Sequence, residues 1–440
     1  MKLKKIAMFM LSLCICCLCC GCAYVNNPDQ LLSPPELTGD MYPIAQALKE
    51  SAGSEYKLEY PTAGVHRSAV VLEDINADAV FEAFAFYSTN DDEMINMHIN
   101  AICQRDGKWV SVANQTIVAT GVETVEFCDL DGDGTEEILV GWEVNGNSEK
   151  QLSVFAFAGD SLVQKMLQPY TGFLCCDLDG NGVNEIFVHL LNTAERTNKA
   201  TIYSYTGDGM AQTAGCGLDQ NVKTAAAPTL SVLLSGQKAV YIDEIKGVGA
   251  VTEVLFMSRG ELINPLLDKE TSNENTLTLR AANLSMADIN GDGILEIPVA
   301  SDLPNAAGGD EKLYYTNWCS FNGEKLSVKS VTVVNTVDGY YLNIPNNLVG
   351  SIAVLKDIEN HRRSFYLYDS SSGAVGEMLM SVTATEAEDW KKGETGGKNL
   401  TEIYRNESTV FAASITDAAQ AAGITADTVK TMFAMIGEQK

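Results

Sequence analysis

Positive charge and histidine are scarce in this sequence of 440 residues. Lysine and arginine number 30 against 58 aspartates and glutamates, which gives a formal net charge of −28. Binding to a nucleic-acid backbone needs clustered lysine and arginine, so we expect no nucleic-acid partner. The same deficit argues against electrostatic docking on anionic lipid. We expect structural or surface roles, not catalysis, for the 4 histidines, which are His66, His98, His189 and His361.

Common catalytic and zinc-binding signatures are missing as well. The sequence contains no GxSxG, HExxH or P-loop motif and no GxGxxG followed by an acid. Serine hydrolases, metalloproteases and nucleotide-binding enzymes typically carry these motifs. The cysteines after residue 22 form no CxxC pair, so zinc is not expected. We therefore assign no catalytic residue, and a carboxylate-based enzyme remains as an alternative.

The N-terminus is typical of an export signal. Lys2, Lys4 and Lys5 precede an apolar run of 15 residues, 6–20, which is shorter than the roughly 20 residues of a membrane span. The run ends in Leu-Cys-Cys-Gly-Cys at residues 18–22, which resembles the lipobox of bacterial lipoproteins although a cysteine replaces the usual leucine. The resemblance implies a signal peptide over 1–21, lipidation of Cys22 and a proline-containing tether over 22–37. An ordinary secretory signal and an uncleaved anchor are the alternatives.

Six cysteines lie beyond the proposed lipidation site. Two of them, Cys128 and Cys176, directly precede equivalent acidic loops. We expect mostly free, buried thiols, since cysteine behaves as a small hydrophobic residue. A disulfide is possible outside the cell, and its pairing stays open. The six are Cys103, Cys128, Cys175, Cys176, Cys216 and Cys319.

Internal repetition is the strongest pattern in the chain. Three segments align without gaps, and each is followed by an apolar run: loop B (129–137, DLDGDGTEE), loop C (177–185, DLDGNGVNE) and loop D (288–296, DINGDGILE). Loop A (74–82, DINADAVFE) keeps the acidic and amide positions but has alanine in place of both glycines. Fainter echoes begin at Asp243 and Asp357. The six anchors are spaced 55, 48, 66, 45 and 69 residues apart, which indicates repeated supersecondary units.

Strand patterns and turn signals fill the segments between the anchors. Together with the loops, they make the sequence similar to the FG-GAP/VCBS class of calcium-binding repeats. This resemblance implies an all-β fold, a six- or seven-bladed β-propeller over 56–412. The order of segments also resembles uncharacterised lipoproteins of Gram-positive bacteria, for which no activity is known.

Short helices are expected on both sides of the repeats, in segments 38–55 and 413–440. Residues 40–52 predict a helix that stops at Gly53. Thr425 is a candidate cap for a second helix, whose apolar face we expect to pack on the propeller. A docking helix for a partner protein is the alternative. The predicted face consists of Val429, Met432, Phe433 and Ile436.

The loops predict calcium binding. Calcium takes six to eight oxygen ligands, and alternate residues of a tight loop can surround one centre. Side chains at positions 1, 3, 5 and 9 and the carbonyl at position 7 would supply them, in about three sites and at most four. The expected ligands are Asp129, Asp131, Asp133, Thr135 and Glu137 in loop B; Asp177, Asp179, Asn181, Val183 and Glu185 in loop C; Asp288, Asn290, Asp292, Ile294 and Glu296 in loop D; and, in a weaker site, Asp74, Asn76, Asp78, Val80 and Glu82 in loop A.

An EF-hand and an ion-free turn are the alternative interpretations of these loops. An EF-hand needs an acid at position 12, where this sequence has Val140, Val188 and Val299. Hairpin turns rich in Asp and Gly, with no ion, are the plainer alternative. Loop A is expected to be weaker because Ala77 and Ala79 resist left-handed conformations. The loops at Asp243 and Asp357 are expected to hold no ion.

Together these patterns predict a monomeric cell-surface lipoprotein that touches the membrane only through its lipid. Its calcium-stabilised propeller would act as a binding or scaffold module for an unknown protein or glycan. The alternatives are an exported carboxylate-based enzyme acting on polysaccharide or peptide, and a purely structural envelope protein.

Overall fold

The computed structural model describes residues 39–91, 94–144, 149–207, 209–268, 273–281, 284–394 and 399–437. The proposed signal peptide, Cys22 and the tether lie outside the described residues, so lipidation remains a prediction. Within the described residues, no helix is both long and apolar enough to cross a membrane.

The described chain is mostly β and forms six antiparallel sheets of four to six strands. This number of sheets fits a multi-bladed propeller, as the resemblance implies, and the blade number remains a prediction. By its internal contacts the chain divides into two compact units. Among the described residues, one comprises those within 39–125, 142–144 and 157–162, and the other comprises those within 126–141, 149–156 and 163–437.

The first sheet belongs to the first unit. Its order is β1-β3-β4-β5, with β2 also paired to β3. Asp106 and Gly107 both have positive φ and form the two-residue turn between the fourth and fifth strands, as expected for an Asp-Gly hairpin. The strands are β1 (Lys57–Leu58), β2 (Val70–Glu73), β3 (Glu82–Asp91), β4 (Met94–Arg105) and β5 (Lys108–Val118).

Helix α1 (Tyr42–Ala52) follows a short 3-10 turn (Gly39–Met41) and buries Ile44 and Leu48 in the core of the first unit. The sequence predicts this helix and its stop. Gly53 ends it with a φ of 87°, and its N–H donates to the carbonyl of Lys49. A glycine adopts this conformation without the steric penalty of a Cβ.

The second and third sheets each have four strands, which lie side by side in chain order. The second sheet consists of β6 (Gly121–Cys128), β7 (Glu137–Val144), β8 (Glu149–Ala158) and β9 (Ser161–Pro169). The third consists of β10 (Gly172–Cys176), β11 (Glu185–Leu190), β12 (Lys199–Thr206) and β13 (Gly209–Gly217).

The fourth sheet has six strands, in the order β14-β16-β17-β18, with β15 on β16 and β19 on β17. These are β14 (Thr224–Ala225), β15 (Thr229–Val232), β16 (Lys238–Lys246), β17 (Gly249–Ser258), β18 (Glu261–Ile263) and β19 (Arg280–Ala281).

The last two sheets have five strands each. The fifth has the order β20-β21-β22-β23-β29 and the sixth β24-β25-β26-β28-β27. Helix α2 (Ala387–Lys392) follows β26, and α3 (Asp417–Ala421) and α4 (Ala426–Met432) precede the last strand. The strands are β20 (Ile297–Leu303), β21 (Leu313–Phe321), β22 (Leu326–Asn335), β23 (Tyr340–Asn343), β24 (Ile352–Asp357), β25 (Arg362–Asp369), β26 (Ala374–Glu386), β27 (Thr401–Arg405), β28 (Thr409–Ile415) and β29 (Phe433–Met435).

Consecutive sheets of the second unit bury apolar side chains against each other. Ile202 of the third sheet shares a core cluster with Ile242 of the fourth, and Val333 of the fifth shares one with Phe365 of the sixth. A strand with both faces covered needs few polar positions, which explains the apolar runs that follow the acidic loops.

The C-terminal segment differs from the sequence expectation. Thr425 caps α4 as predicted, accepting a hydrogen bond from the N–H of Thr428. The helix ends at Met432, however, and Phe433 begins strand β29, which pairs with β23. Of the predicted face, Val429, Met432 and Phe433 are buried in the core and Ile436 is exposed. The helix itself therefore packs on the protein, and the alternative of an exposed docking helix is wrong.

One disulfide joins the second and third sheets, between Cys128 and Cys175. The expectation of mostly free thiols therefore needs one correction. Cys103, Cys176 and Cys319 are buried free thiols, and burial raises the pKa of each to about 11. Sequence alone could not pair Cys128 because its partner lies in the next repeat.

We predict that the double replacement Cys128→Ser and Cys175→Ser lowers the free energy of unfolding by about 2–4 kcal/mol. The crosslink spans 47 residues and restricts the unfolded chain. Urea denaturation measures the change, with Cys216→Ser, at a half-buried thiol, as the control. Non-reducing peptide mapping should recover the linked pair, and recovery of only unlinked peptides would contradict the assignment.

Candidate metal centres

Each acidic loop lies directly before a strand of its sheet. Loop A connects β2 to β3, loop B connects β6 to β7, and loop C connects β10 to β11. Loop D precedes β20, and a bridge between Ala287 and Glu296 closes it. In every copy, position 9 is the residue at which the following strand begins or the one immediately before it.

Backbone N–H groups hold the acidic side chains of loop B in place. Asp129 accepts from the N–H groups of Gly132 and Gly134, at 2.7 and 3.0 Å. Asp133 accepts from the N–H of Thr135 at 2.7 Å. Loops C and D repeat this pattern, with Asp177 accepting from Gly180 at 2.8 Å and Asp288 from Gly291 at 2.7 Å. These bonds fix the loop conformation, and the Asx-turn alternative predicts them too.

The glutamate at position 9 distinguishes the loops from ordinary turns. Glu137 and Glu185 are each 4% exposed, and Glu296 is fully buried. Each accepts one backbone N–H from the residue seven positions earlier, at distances from 2.9 to 3.1 Å. An ordinary surface turn has no need of a buried carboxylate, which is costly to ionise away from water.

Burial and the neighbouring aspartates disfavour ionisation of these glutamates. Burial, with the nearby charges of Asp131, Asp129 and Asp133, raises the pKa of Glu137 to about 7 against the opposing hydrogen bond from the N–H of Leu130. Burial likewise raises the pKa of Glu185 and of Glu296. A cation at the centre of each loop would reverse this effect, since opposite charge favours the ionised form.

Carboxylate oxygens converge in two of the loops. In loop B, one carboxylate oxygen from each of Asp129, Asp131 and Glu137 lies within 4.8 Å of the other two. Loop C has an equivalent group. The complete group in loop C is Asp177, Asp179 and Glu185. These sets of hard oxygen donors fit a metal ion such as calcium. The position-5 residues are not part of either three-oxygen group.

Loops C and D place an amide among the carboxylates. In loop D the Asn290 amide nitrogen donates to Asp292 at 3.0 Å and to Glu296 at 3.4 Å. In loop C the Asn181 amide donates to Asp179 at 3.1 Å and to Glu185 at 3.4 Å. Loop B has acids at positions 1, 3, 5 and 9 and lacks such a donor, so its carboxylates need a cation most.

A lysine from another sheet also contacts loop C, which the sequence did not reveal. Lys238 of β16 donates to the carbonyl of Asp177 at 2.7 Å and to its carboxylate at 3.1 Å. Burial opposes ionisation of Asp177, but this lysine and the N–H of Gly180 lower its pKa overall. The contact spans 61 residues of sequence, so no local pattern signals it.

Loop A adopts the same conformation without glycine. Ala77 and Ala79 have φ angles of 55° and 67°, in the left-handed region that alanine resists. Asp74 accepts from the N–H of Ala79 at 2.9 Å, as its counterparts do in the other loops. One carboxylate oxygen of the buried Glu82 has no hydrogen-bond partner among the described residues.

The two faint echoes differ from the complete loops. Asp243 lies within strand β16, where Arg280 donates to it at 2.5 Å and Thr252 at 2.6 Å. Asp357 is the last residue of β24 and pairs with Arg362 at 2.7 Å. The expectation of a loop is therefore wrong at Asp243, which lies inside a strand and pairs with Arg280, whereas Asp357 begins the turn of residues 358–361.

Sequence analysis missed a pair of buried glutamates on neighbouring strands β16 and β17. Glu244 and Glu253 are both fully buried. Burial raises the pKa of Glu253 to about 8 and that of Glu244 well above its usual range, where Glu253 and Asp219 raise it further. Their burial closes them to any substrate, so they are polar elements of the core. The sequence signal that could have revealed this pair is an acid within an otherwise apolar strand.

The histidines have structural surroundings. His98 stacks on Tyr87 at 4.6 Å between ring centroids. His361 lies beside Asp338 at 2.6 Å. His189 is fully buried, and burial lowers its pKa to about 4, so it is neutral.

No protein-family model and no curated protein match the chain. Similar solved structures include a Lactobacillus plantarum protein, with a TM-score of 0.30 and 10% identity over 72% of this chain and 84% of that one. The periplasmic gluconolactonase of Pseudomonas aeruginosa has a TM-score of 0.30 and 14% identity over 73% and 88%. A Bacillus licheniformis rhamnogalacturonan lyase has a TM-score of 0.31 and 11% identity over 80% and 90%.

The comparisons correct the expected function. The expectation was a binding or scaffold module for protein or glycan, whereas the similar structures whose names state an activity are enzymes. They favour the enzyme alternative over that module. TM-scores from 0.30 to 0.32 transfer no specific activity to this chain, and the FG-GAP/VCBS resemblance remains a prediction.

We predict that Ala77→Gly and Ala79→Gly each raise the free energy of unfolding by about 1 kcal/mol. Glycine relieves the left-handed strain at these φ angles, and this gain exceeds its larger entropy in the unfolded chain. Urea denaturation measures the effect. Ala63→Gly, at a loop position without positive φ, is the control and should lower stability. A loss of stability in both loop A variants would contradict the strained conformation.

Proposed function

We propose that the chain binds calcium in loops B, C and D, and more weakly in loop A. The observation that carries the proposal is the buried glutamate beside the aspartates of each loop, exemplified by Glu137 next to Asp129 and Asp131. Without a cation, such a group is repulsive and partly protonated. With one, every carboxylate gains an opposite charge.

The donor chemistry favours calcium over other metals. Carboxylate, amide and carbonyl oxygens suit calcium or magnesium, whereas zinc is usually bound through cysteine and histidine. Calcium tolerates irregular sets of six to eight oxygens, while magnesium demands near-octahedral geometry and retains waters. A nine-residue loop that mixes side chains with a position-7 carbonyl matches the calcium preference.

The proposed role of the ion is to stabilise the strand connections of a multi-bladed propeller, with six or seven blades. The loops precede strands of four different sheets, so each ion would fix the entry into a sheet. Asn184 of loop C also donates to the carbonyl of Asp129 at 3.1 Å, which couples loops B and C. Ordering one loop therefore helps to order the next.

We further propose that the protein acts outside the cytoplasm as a monomer, held at the cell membrane by lipid on Cys22. Extracellular calcium modules bind with dissociation constants of roughly 10⁻⁴ to 10⁻³ M, which extracellular calcium can fill. The lysines before the apolar run 6–20 and the position of Cys22 directly after that run and Gly21 support this location.

The calcium proposal predicts that EDTA lowers the melting temperature of the full-length chain by several degrees and that added calcium restores it. A free calcium concentration ten times the dissociation constant stabilises by about 1.4 kcal/mol for each site. Glu137→Gln keeps the shape of the side chain but removes its charge, so the calcium-dependent shift should become smaller. Differential scanning calorimetry measures these shifts.

Glu324→Gln is the matched control, because Glu324 is exposed and lies outside the loops. It should show the full calcium-dependent shift. Equal melting temperatures in EDTA and in calcium for the unsubstituted chain would overturn the proposal.

The second candidate function is an exported carboxylate-based enzyme acting on polysaccharide or peptide. The observation that favours it is Glu126 on β6, which is half-buried and still reached by solvent. Burial raises the pKa of its carboxyl group, and among the described residues nothing donates a hydrogen bond to it or pairs with it. A solvent-reached carboxyl whose pKa is raised by burial is the kind of group that serves as a general acid.

This candidate predicts that the full-length chain releases reducing ends from a soluble polysaccharide or amines from casein. Glu126→Gln should then reduce the rate by about 100-fold or more, as expected for loss of a general acid. Glu324→Gln should leave the rate unchanged. Full activity in Glu126→Gln, or no activity on either substrate class, would contradict the candidate.

A further inference from the structure

A cavity of about 220 Å³ lies among residues of the fifth and sixth sheets, together with Ala281 and Leu284. Its walls are largely apolar and include Leu303, Leu313, Val333 and Val354, all of which are buried. The volume corresponds to roughly seven water molecules at about 30 Å³ each. Only a small ligand would fit, because drug-sized sites measure roughly 300–1,000 Å³.

Three cations line this cavity in a protein that carries a large negative charge: Lys312, Lys356 and Arg363. Lys356 and Arg363 face each other directly across strands β24 and β25. Residues paired in this way lie on the same face of a sheet, where like charges repel. Lys356 has a carboxylate partner, Glu311, at 2.7 Å.

Arg363 has no such partner. It is 4% exposed, and no carboxylate of the described residues lies within 4.0 Å of its guanidinium group. Its hydrogen bonds are long, at 3.3 Å to the amide oxygen of Asn335 and 3.5 Å to the carbonyl of Arg362. Asp338, which shares Asn335 with Arg363, accepts from the amide of Asn335 and lies beside His361.

The other buried arginine of the second unit shows what a satisfied guanidinium requires. Arg280 is also 4% exposed, yet it donates to Asp243 at 2.5 Å and to the carbonyl of Leu284 at 2.7 Å. A guanidinium cannot lose its proton in a protein, and a buried charge without a counter-charge is strongly destabilising. Arg363 is therefore a buried cation without a counter-charge, as expected of a group that binds an anion.

We propose that the cavity lined by Arg363 binds a small organic carboxylate. The planar guanidinium fork matches a carboxylate, which it can contact with two parallel hydrogen bonds. The apolar walls suit a compact apolar body attached to that carboxylate. Lys312 and Lys356 are exposed and would attract the anion to the entrance.

Isothermal titration calorimetry on the full-length chain tests this proposal with benzoate and benzamide, which have the same shape but differ in charge. Benzoate should bind about tenfold tighter or more, because hydrogen bonds to charged groups are the stronger ones. Arg363→Gln should abolish this preference. Arg362→Gln is the matched control on the same strand, where Arg362 pairs with Asp357, and should preserve benzoate affinity within about twofold.

Lys356→Gln keeps the test decisive if Arg363→Gln does not fold. This variant removes a charge at the entrance and should weaken benzoate binding about two- to fivefold, with a smaller dependence on salt. Equal binding of benzoate and benzamide would overturn the proposal. So would the absence of benzoate binding at millimolar concentrations, or tighter binding of inorganic phosphate than of benzoate.

Discussion

The contact between a buried glutamate and the backbone of its own loop recurs in all the complete acidic loops. Glu137, Glu185 and Glu296 each accept an N–H from the start of the loop and simultaneously begin or immediately precede a strand. This hydrogen bond joins the start of the loop to the start of the strand. Because the glutamate that accepts it is buried, its carboxylate lies away from water. A cation in the loop would offset the cost of ionising that carboxylate, and the aspartates around it would supply further oxygens.

The protein compensates buried charge in several ways. Within the fourth sheet, Asp243 is neutralised by Arg280, while the neighbouring Glu244 and Glu253 have raised pKa values because of burial. In the loops, the compensating charge would come from calcium. Only Arg363, of the groups discussed, carries a buried charge that neither a carboxylate nor the loss of a proton can neutralise.

Local chemistry could be predicted from the sequence, and long-range pairing could not. The acidic loops were found because their ligands fall within nine residues, and α1 because Gly53 marks its end. The helix at Thr425 was predicted too long, since pairing of β29 with β23 overrides helical periodicity after Met432. Asp243 was mistaken for a loop residue because its partner Arg280 lies 37 positions away. The cavity at Arg363 depends on packing between sheets, which no local pattern records.

The central claim is that cations occupy the loops and hold their buried glutamates ionised. Elemental analysis of the purified full-length chain, dialysed against calcium buffer and then rapidly desalted, tests it most directly. We predict three calcium ions per chain, or a fourth at higher calcium concentration through loop A, and fewer in Glu137→Gln. A chain that retains no calcium under these conditions, and whose glutamates show the same ionisation with and without calcium, would contradict the account.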